Sequence, residues 1–135
     1  MSKNHQTGMR GVYLVAAELA KLGFIASPTS RSSFGADILV TDSKCKNAYS
    51  VQVKTNATSF YYWLLNKDSK DLKSKTHIYV FVNLKDKQDL VDYFIVPSKV
   101  VANKMAIDKR KGSTWYSFAC KDAKKYQNKW SVFSV

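Results

Sequence analysis

Cysteine is nearly absent from this chain, and its two cysteines, Cys45 and Cys120, form neither a CxxC pair nor a Cys/His ligand set. That scarcity excludes a disulfide-stapled scaffold and a structural zinc cluster, and fits reduced thiols in a cytoplasm. Histidine is equally sparse. His5 falls in a polar N-terminal stretch and His77 opens an apolar run, so with no third ligand at zinc spacing both read as structural or solvated side chains. No apolar run reaches the length of a membrane span and no signal-peptide hydrophobic region occurs, so the expected setting is cytoplasmic, with no membrane partner. Repeats and linkers are missing as well, and residues 1–135, at 45% hydrophobic content, read as a single domain able to bury one core. Acid is the last shortage. Ten Asp plus Glu stand against 22 Lys plus Arg, a formal net charge of +12. Such a surplus favours a polyanionic partner, because each phosphate neutralised releases condensed counterions. A basic protein without such a partner is the plain alternative.

What is present begins with a helical stripe. Val12, Val15, Leu19 and Leu22 recur at helical spacing, Gly23 is a natural C-cap, and residues 1–7 are polar and expected to fray or dock loosely. Glu18 lies at the edge of the stripe and leans toward the core, whereas Arg10 and Lys21 face water. It is either a boundary residue reaching solvent or a carboxylate aimed at a metal between helix and sheet. Phe24 to Ala26 starts an edge strand that Pro28 stops.

A hairpin follows. Residues 34–40 read as a strand reached through a small-residue turn, and the polar loop 41–47 returns the chain as an antiparallel neighbour. Side chains alternate along a strand, so Gln52 and Lys54 share a face, with Val51, Val53 and Thr55 on the other, and the hairpin sets Asp37 beside Gln52 and Lys54. Phosphodiester hydrolysis needs a divalent cation on oxygen ligands, an activated water, and positive charge at the phosphoryl group. Asp37 offers a carboxylate ligand, Gln52 an amide carbonyl, and Lys54 the charge or the orientation of the water. Just before Asp37, the hydroxyl-rich loop 27–35 around Arg31 reads either as a plain loop or as a phosphate contact through Arg31 and Ser33.

Beyond the hairpin, Phe60-Tyr61-Tyr62-Trp63 is a run of aromatics from which some rings must face outward. An irregular lid on the core is the favoured reading; a base-stacking wedge or a dimer surface are the others. The lysine-rich segment 67–75 reads as a solvated face or, through Lys67, Lys70, Lys73 and Lys75, as a nucleic-acid contact. Residues 78–84 have the nearly continuous apolar character of a central strand, residues 93–96 form a second, and Ser98 is expected to cap a short helix over 99–105. Two aromatic segments in the tail, 115–118 and 130–133, are expected to pack on or extend a sheet edge. The elements add up to an α/β fold with a mixed, largely antiparallel sheet.

Asp37 followed by Gln52-Val53-Lys54 resembles the PD-(D/E)XK nuclease superfamily, and residues 11–24, with Glu18 and the closing Gly23-Phe24, are similar to the opening helix of its Holliday-junction-resolvase-like branch. Two residues depart from the pattern: Ala36 stands in the Pro position and Gln52 in that of Asp or Glu, a variant found in branches such as the VRR nucleases. The resemblance implies a restriction-endonuclease-like fold, a mixed central sheet flanked by helices. It further implies a DNA endonuclease using Mg²⁺ or Mn²⁺, acting on branched or structured DNA as a homodimer, with Glu18, Asp37, Gln52 and Lys54 catalytic and the first three as metal ligands. The alternative is a catalytically weak or inactive nuclease-fold protein that binds nucleic acid as a subunit or regulatory factor, since Gln52 removes one negative charge from the site.

Overall fold

The computed structural model describes residues 2–30 and 35–133. Helix α1 spans Lys3–Lys21, so the polar N-terminus is helical rather than frayed: Ser2 is the N-cap, its Oγ accepting from the His5 amide at 3.2 Å. The helix ends as its glycine dictates. Gly23 adopts φ +94°, its N–H donating to the Ala20 carbonyl and that of Phe24 to the Leu19 carbonyl, each at 3.0 Å.

Strands β1 (Ile25–Pro28), β2 (Ile38–Thr41), β3 (Ala48–Asn56), β5 (His77–Lys85) and β6 (Leu90–Pro97) form a five-stranded sheet in the order β1-β2-β3-β5-β6. Every pairing is antiparallel except β3 with β5, as expected for a mixed sheet. A second sheet has the order β4-β8-β7, from Tyr62–Leu65, Ser113–Ala119 and Ala106–Arg110. Short helices α2 (Ser98–Lys104) and α3 (Cys120–Ala123) complete the chain.

The large sheet is buried on both faces. Val51, Val53, Ile78, Val80 and Val82 meet Val12, Val15 and Leu19 of α1 on one side. On the other, Tyr79, Phe81, Phe94 and Val96 meet Trp63, Leu65 and Phe118 of the small sheet together with Val101 of α2 and Ala123 of α3. Burial on both faces explains why β5 is apolar at consecutive positions; only Lys85, at its end, is not buried. Gly11 is the closest approach of α1 to β3, where a Cβ would overlap the Thr55 side chain.

Several expectations change. The aromatic run is no irregular lid: β4 alternates, with Trp63 and Leu65 buried and Tyr62 and Leu64 exposed. Ser98 does not cap α2 by a side-chain bond but is its first residue, fully buried, its Oγ donating to the Ser74 carbonyl at 2.7 Å and accepting from the Ser74 amide at 3.0 Å. Of the two tail segments, 115–118 lies within β8, at the centre of the small sheet rather than at an edge, whereas Trp130–Phe133 packs as expected, a turn of 3₁₀ helix on the α1 side of the core with Phe133 against Tyr49 and Phe24. Among the described residues no helix is long and apolar enough to cross a membrane.

Candidate active site

The hairpin register decides which side chains meet. Ile38 pairs with Val51, which sets Asp37, the residue before β2, opposite Gln52. The Asp37 amide donates to the Val51 carbonyl at 2.8 Å, and its Oδ2 accepts from the Val53 amide at 2.8 Å. The carboxylate thus takes the last rung of the ladder where the β2 backbone turns away, which locks its orientation beside β3. Gln52 is 7% exposed, and its Oε1 has no hydrogen-bond partner. Lys54 follows two residues along β3 and is half-buried. Val51 and Val53 face α1, so by strand alternation Gln52 and Lys54 project from the opposite face. The structure therefore brings Asp37, Gln52 and Lys54 together.

Glu18 is not brought to them. It sits on α1, which packs on the face of the sheet opposite Gln52 and Lys54, and its charge adds to the burial that pushes up the Tyr93 phenol on β6. β6 lies three strands from β2, about 14 Å at ordinary strand spacing. Arg31 and Ser33 lie outside the described residues. Lys67, Lys70, Lys73 and Lys75 are all exposed, the first two on a 3₁₀ turn.

Ser50, His77 and Tyr79 border the site, and the sequence expectations give none of them a part in it. The parallel β3–β5 register sets Ser50 beside His77 and Gln52 beside Tyr79, on the face that carries Lys54. Ser50 Oγ lies 2.7 Å from His77 Nδ1, and Nε2 of the buried imidazole has no partner. Burial pushes the imidazole below its ordinary range, opposed by Ser50 and by the negative charge of Asp37. Burial likewise pushes the Tyr79 phenol up. Ser50 and His77 line a cleft of about 330 Å³ whose other wall includes Asp71 and Lys73, so one lysine of the basic segment faces this end of the site. Strand alternation alone could have flagged Ser50, but His77 depends on a pairing between strands distant in sequence. Among the described residues no group of three or more His, Cys, Asp or Glu side chains is placed to hold a metal.

The backbone has a known counterpart. Over 87% of this chain and 88% of the other, it is similar to Hjc of Archaeoglobus fulgidus, a Holliday junction resolvase from an archaeal hyperthermophile, with a TM-score of 0.55. The chain has a restriction-endonuclease-like fold. Sequence identity is 13%, so the likeness is one of architecture. No family model matches the sequence, and no curated protein does.

Proposed function

We propose that the protein is a divalent-metal-dependent phosphodiesterase that cuts DNA, branched or otherwise structured DNA being the favoured substrate, through Asp37, Gln52 and Lys54. The observation that carries this reading is Gln52 Oε1, a buried acceptor with no donor, directly across the hairpin from a carboxylate. An unsatisfied buried carbonyl costs about 1–3 kcal/mol, and a cation would relieve it, so these residues fit such an ion.

When bound, Mg²⁺ or Mn²⁺ would polarise the phosphoryl group and acidify a water. The protein's own part is positional. The Val53 amide fixes Asp37 Oδ2, Gln52 presents its carbonyl beside it, and Lys54 supplies an ammonium to the charge that grows on the phosphoryl oxygens. A net charge of +12 supports a polyanionic substrate, and the resolvase-like architecture supports DNA in particular.

One observation favours a second reading. Asp37 is the single carboxylate of the trio, since Gln52 is neutral and Glu18 is across the sheet. A site so short of negative charge fits a nuclease fold that binds nucleic acid without cutting it. Plasmid, single-stranded and four-way-junction DNA incubated in Mg²⁺ or Mn²⁺, with and without chelator, separate the two. Metal-dependent cutting lost in Asp37→Ala supports the enzyme; binding without cutting in either metal supports the binding module. Failure to bind any DNA at low salt removes both readings and points to a protein partner.

A further inference from the structure

The outer face of the small sheet is covered by nothing among the described residues, yet it is rich in rings. Tyr62 and Leu64 of β4 and Trp115 of β8 are 38%, 49% and 46% exposed, and Tyr61, at the edge of β4, reaches 82%. The rings are organised. Phe60 packs edge-on against Tyr62 with centroids 5.0 Å apart, and the Arg110 guanidinium lies 5.9 Å from the Trp115 ring centre while pairing with Asp108.

Two concavities run along this face and share Tyr62 and Ser117 as a common wall. The larger, about 780 Å³, is walled by Phe60, Tyr61 and Tyr62 and rimmed by Lys121 and Lys124. The smaller, about 260 Å³, is walled by Trp115 and by the Asp108–Arg110 ion pair. Aromatic walls along both concavities with a lysine rim on the larger suit a ligand that offers flat rings and negative charge in alternation. Unpaired nucleotides do so, whereas a duplex hides its base faces in the stack. Charge also argues against a second copy of this chain as the occupant, because each copy carries +12. The small sheet is tied to the strand that carries Lys54. Asn56, at the end of β3 and on the same strand face as Lys54, donates to the Tyr62 carbonyl at 2.9 Å.

We propose that the outer face of β4-β8-β7 is a stacking platform for single-stranded nucleic acid, with Tyr62 and Trp115 taking bases and Lys121 and Lys124 taking the backbone. The platform deepens the nucleic-acid reading above and rests on it, but its test does not depend on cleavage. Fluorescence anisotropy in chelator measures binding of labelled oligo-dT and of a fully paired duplex to wild type, to Tyr62→Ala/Trp115→Ala and to Tyr62→Phe/Trp115→Phe. Stacking on these rings predicts at least about tenfold weaker oligo-dT binding by the alanine pair, duplex binding within about twofold of wild type, and near wild-type behaviour for the phenylalanine pair. Oligo-dT binding unchanged in the alanine pair, or lost equally in both pairs, overturns the proposal. So does a wild-type dimer in sedimentation that the alanine pair converts to monomer, because the face would then be an interface between copies. Metal-dependent cutting by a protein whose single-strand binding ignores these rings would sink the platform and leave the nuclease reading standing. Ring-dependent binding without any cutting would do the reverse.

Discussion

Replacing Gly11 with alanine should destabilise this protein although alanine is the better helix former. Gly11 is buried where α1 crosses β3, and a methyl on its Cα would lie 2.9 Å from Thr55 Cβ and 3.2 Å from Cγ2, overlapping Oγ1 outright. Removing a glycine from a helix interior gains about 1 kcal/mol. Forcing a methyl into a packed contact costs about 1–3 kcal/mol, and more where the neighbour cannot yield. Thr55 is such a neighbour: its side chain is branched at Cβ, and its backbone is paired with Val82 of β5. The net loss should be about 2 kcal/mol, a fall in Tm of about 6–10 °C for a chain of this size. Thermal melts and urea titrations of Gly11→Ala, Thr55→Ala and the double variant measure it. Thr55→Ala removes a buried hydroxyl that has no partner, so alone it should cost little. In the double variant it should return about 1 kcal/mol or more of the Gly11→Ala loss. Because Lys54 is the next residue on β3, Gly11→Ala should also slow any metal-dependent cleavage. A Gly11→Ala protein that melts at or above wild type, or strict additivity in the double variant, would refute the close-approach argument.

Asp37→Ala should lower stability by about 1–2 kcal/mol in urea, because the Val53 amide loses its acceptor. Asp37→Asn retains an acceptor and most of that stability, yet it should lose metal-dependent cutting, so the two variants separate the structural role of this side chain from its chemical one. His77 makes stability pH-dependent. Its folded value lies below the ordinary 6.5 because burial disfavours the charged ring, so the unfolded chain takes the proton first. The contribution is complete above the unfolded value, declines as pH falls from there toward the folded value, and is flat below. Melting wild type and His77→Gln across this window should show a step in wild type that the variant lacks; identical profiles would count against a buried neutral imidazole.

Much of the frame is legible in the sequence because two periodicities write it. The spacing of Val12, Val15 and Leu19 marks the buried stripe of α1, although Leu22, expected to continue it, is exposed, and Gly23 marks its end for want of a Cβ. Alternation through 51–55 places Gln52 and Lys54 on one face, and the loop 41–47 returns β3 against β2 as a hairpin should. What escapes has a physical reason in each case. Strand β7 is exposed at every position, so no pattern announces it. The Ser50–His77 contact arises from a parallel pairing that no local signal encodes. Glu18 stands at a stripe boundary, where spacing alone does not decide which strand it overlooks. Ser98 resembles a helix cap in sequence, but its hydroxyl is claimed by the Ser74 backbone across the fold.

The central claim is that Asp37, Gln52 and Lys54 form one metal-assisted hydrolytic site. Single-turnover cleavage of four-way-junction DNA by wild type and Lys54→Ala, with the bound fraction measured in parallel, tests it most directly. The account predicts Mg²⁺- or Mn²⁺-dependent cutting by wild type that chelator abolishes, and a Lys54→Ala protein that binds the junction but leaves it intact. Lys54→Ala cutting at the wild-type rate, or wild type binding the junction in either metal without ever cutting it, would contradict it.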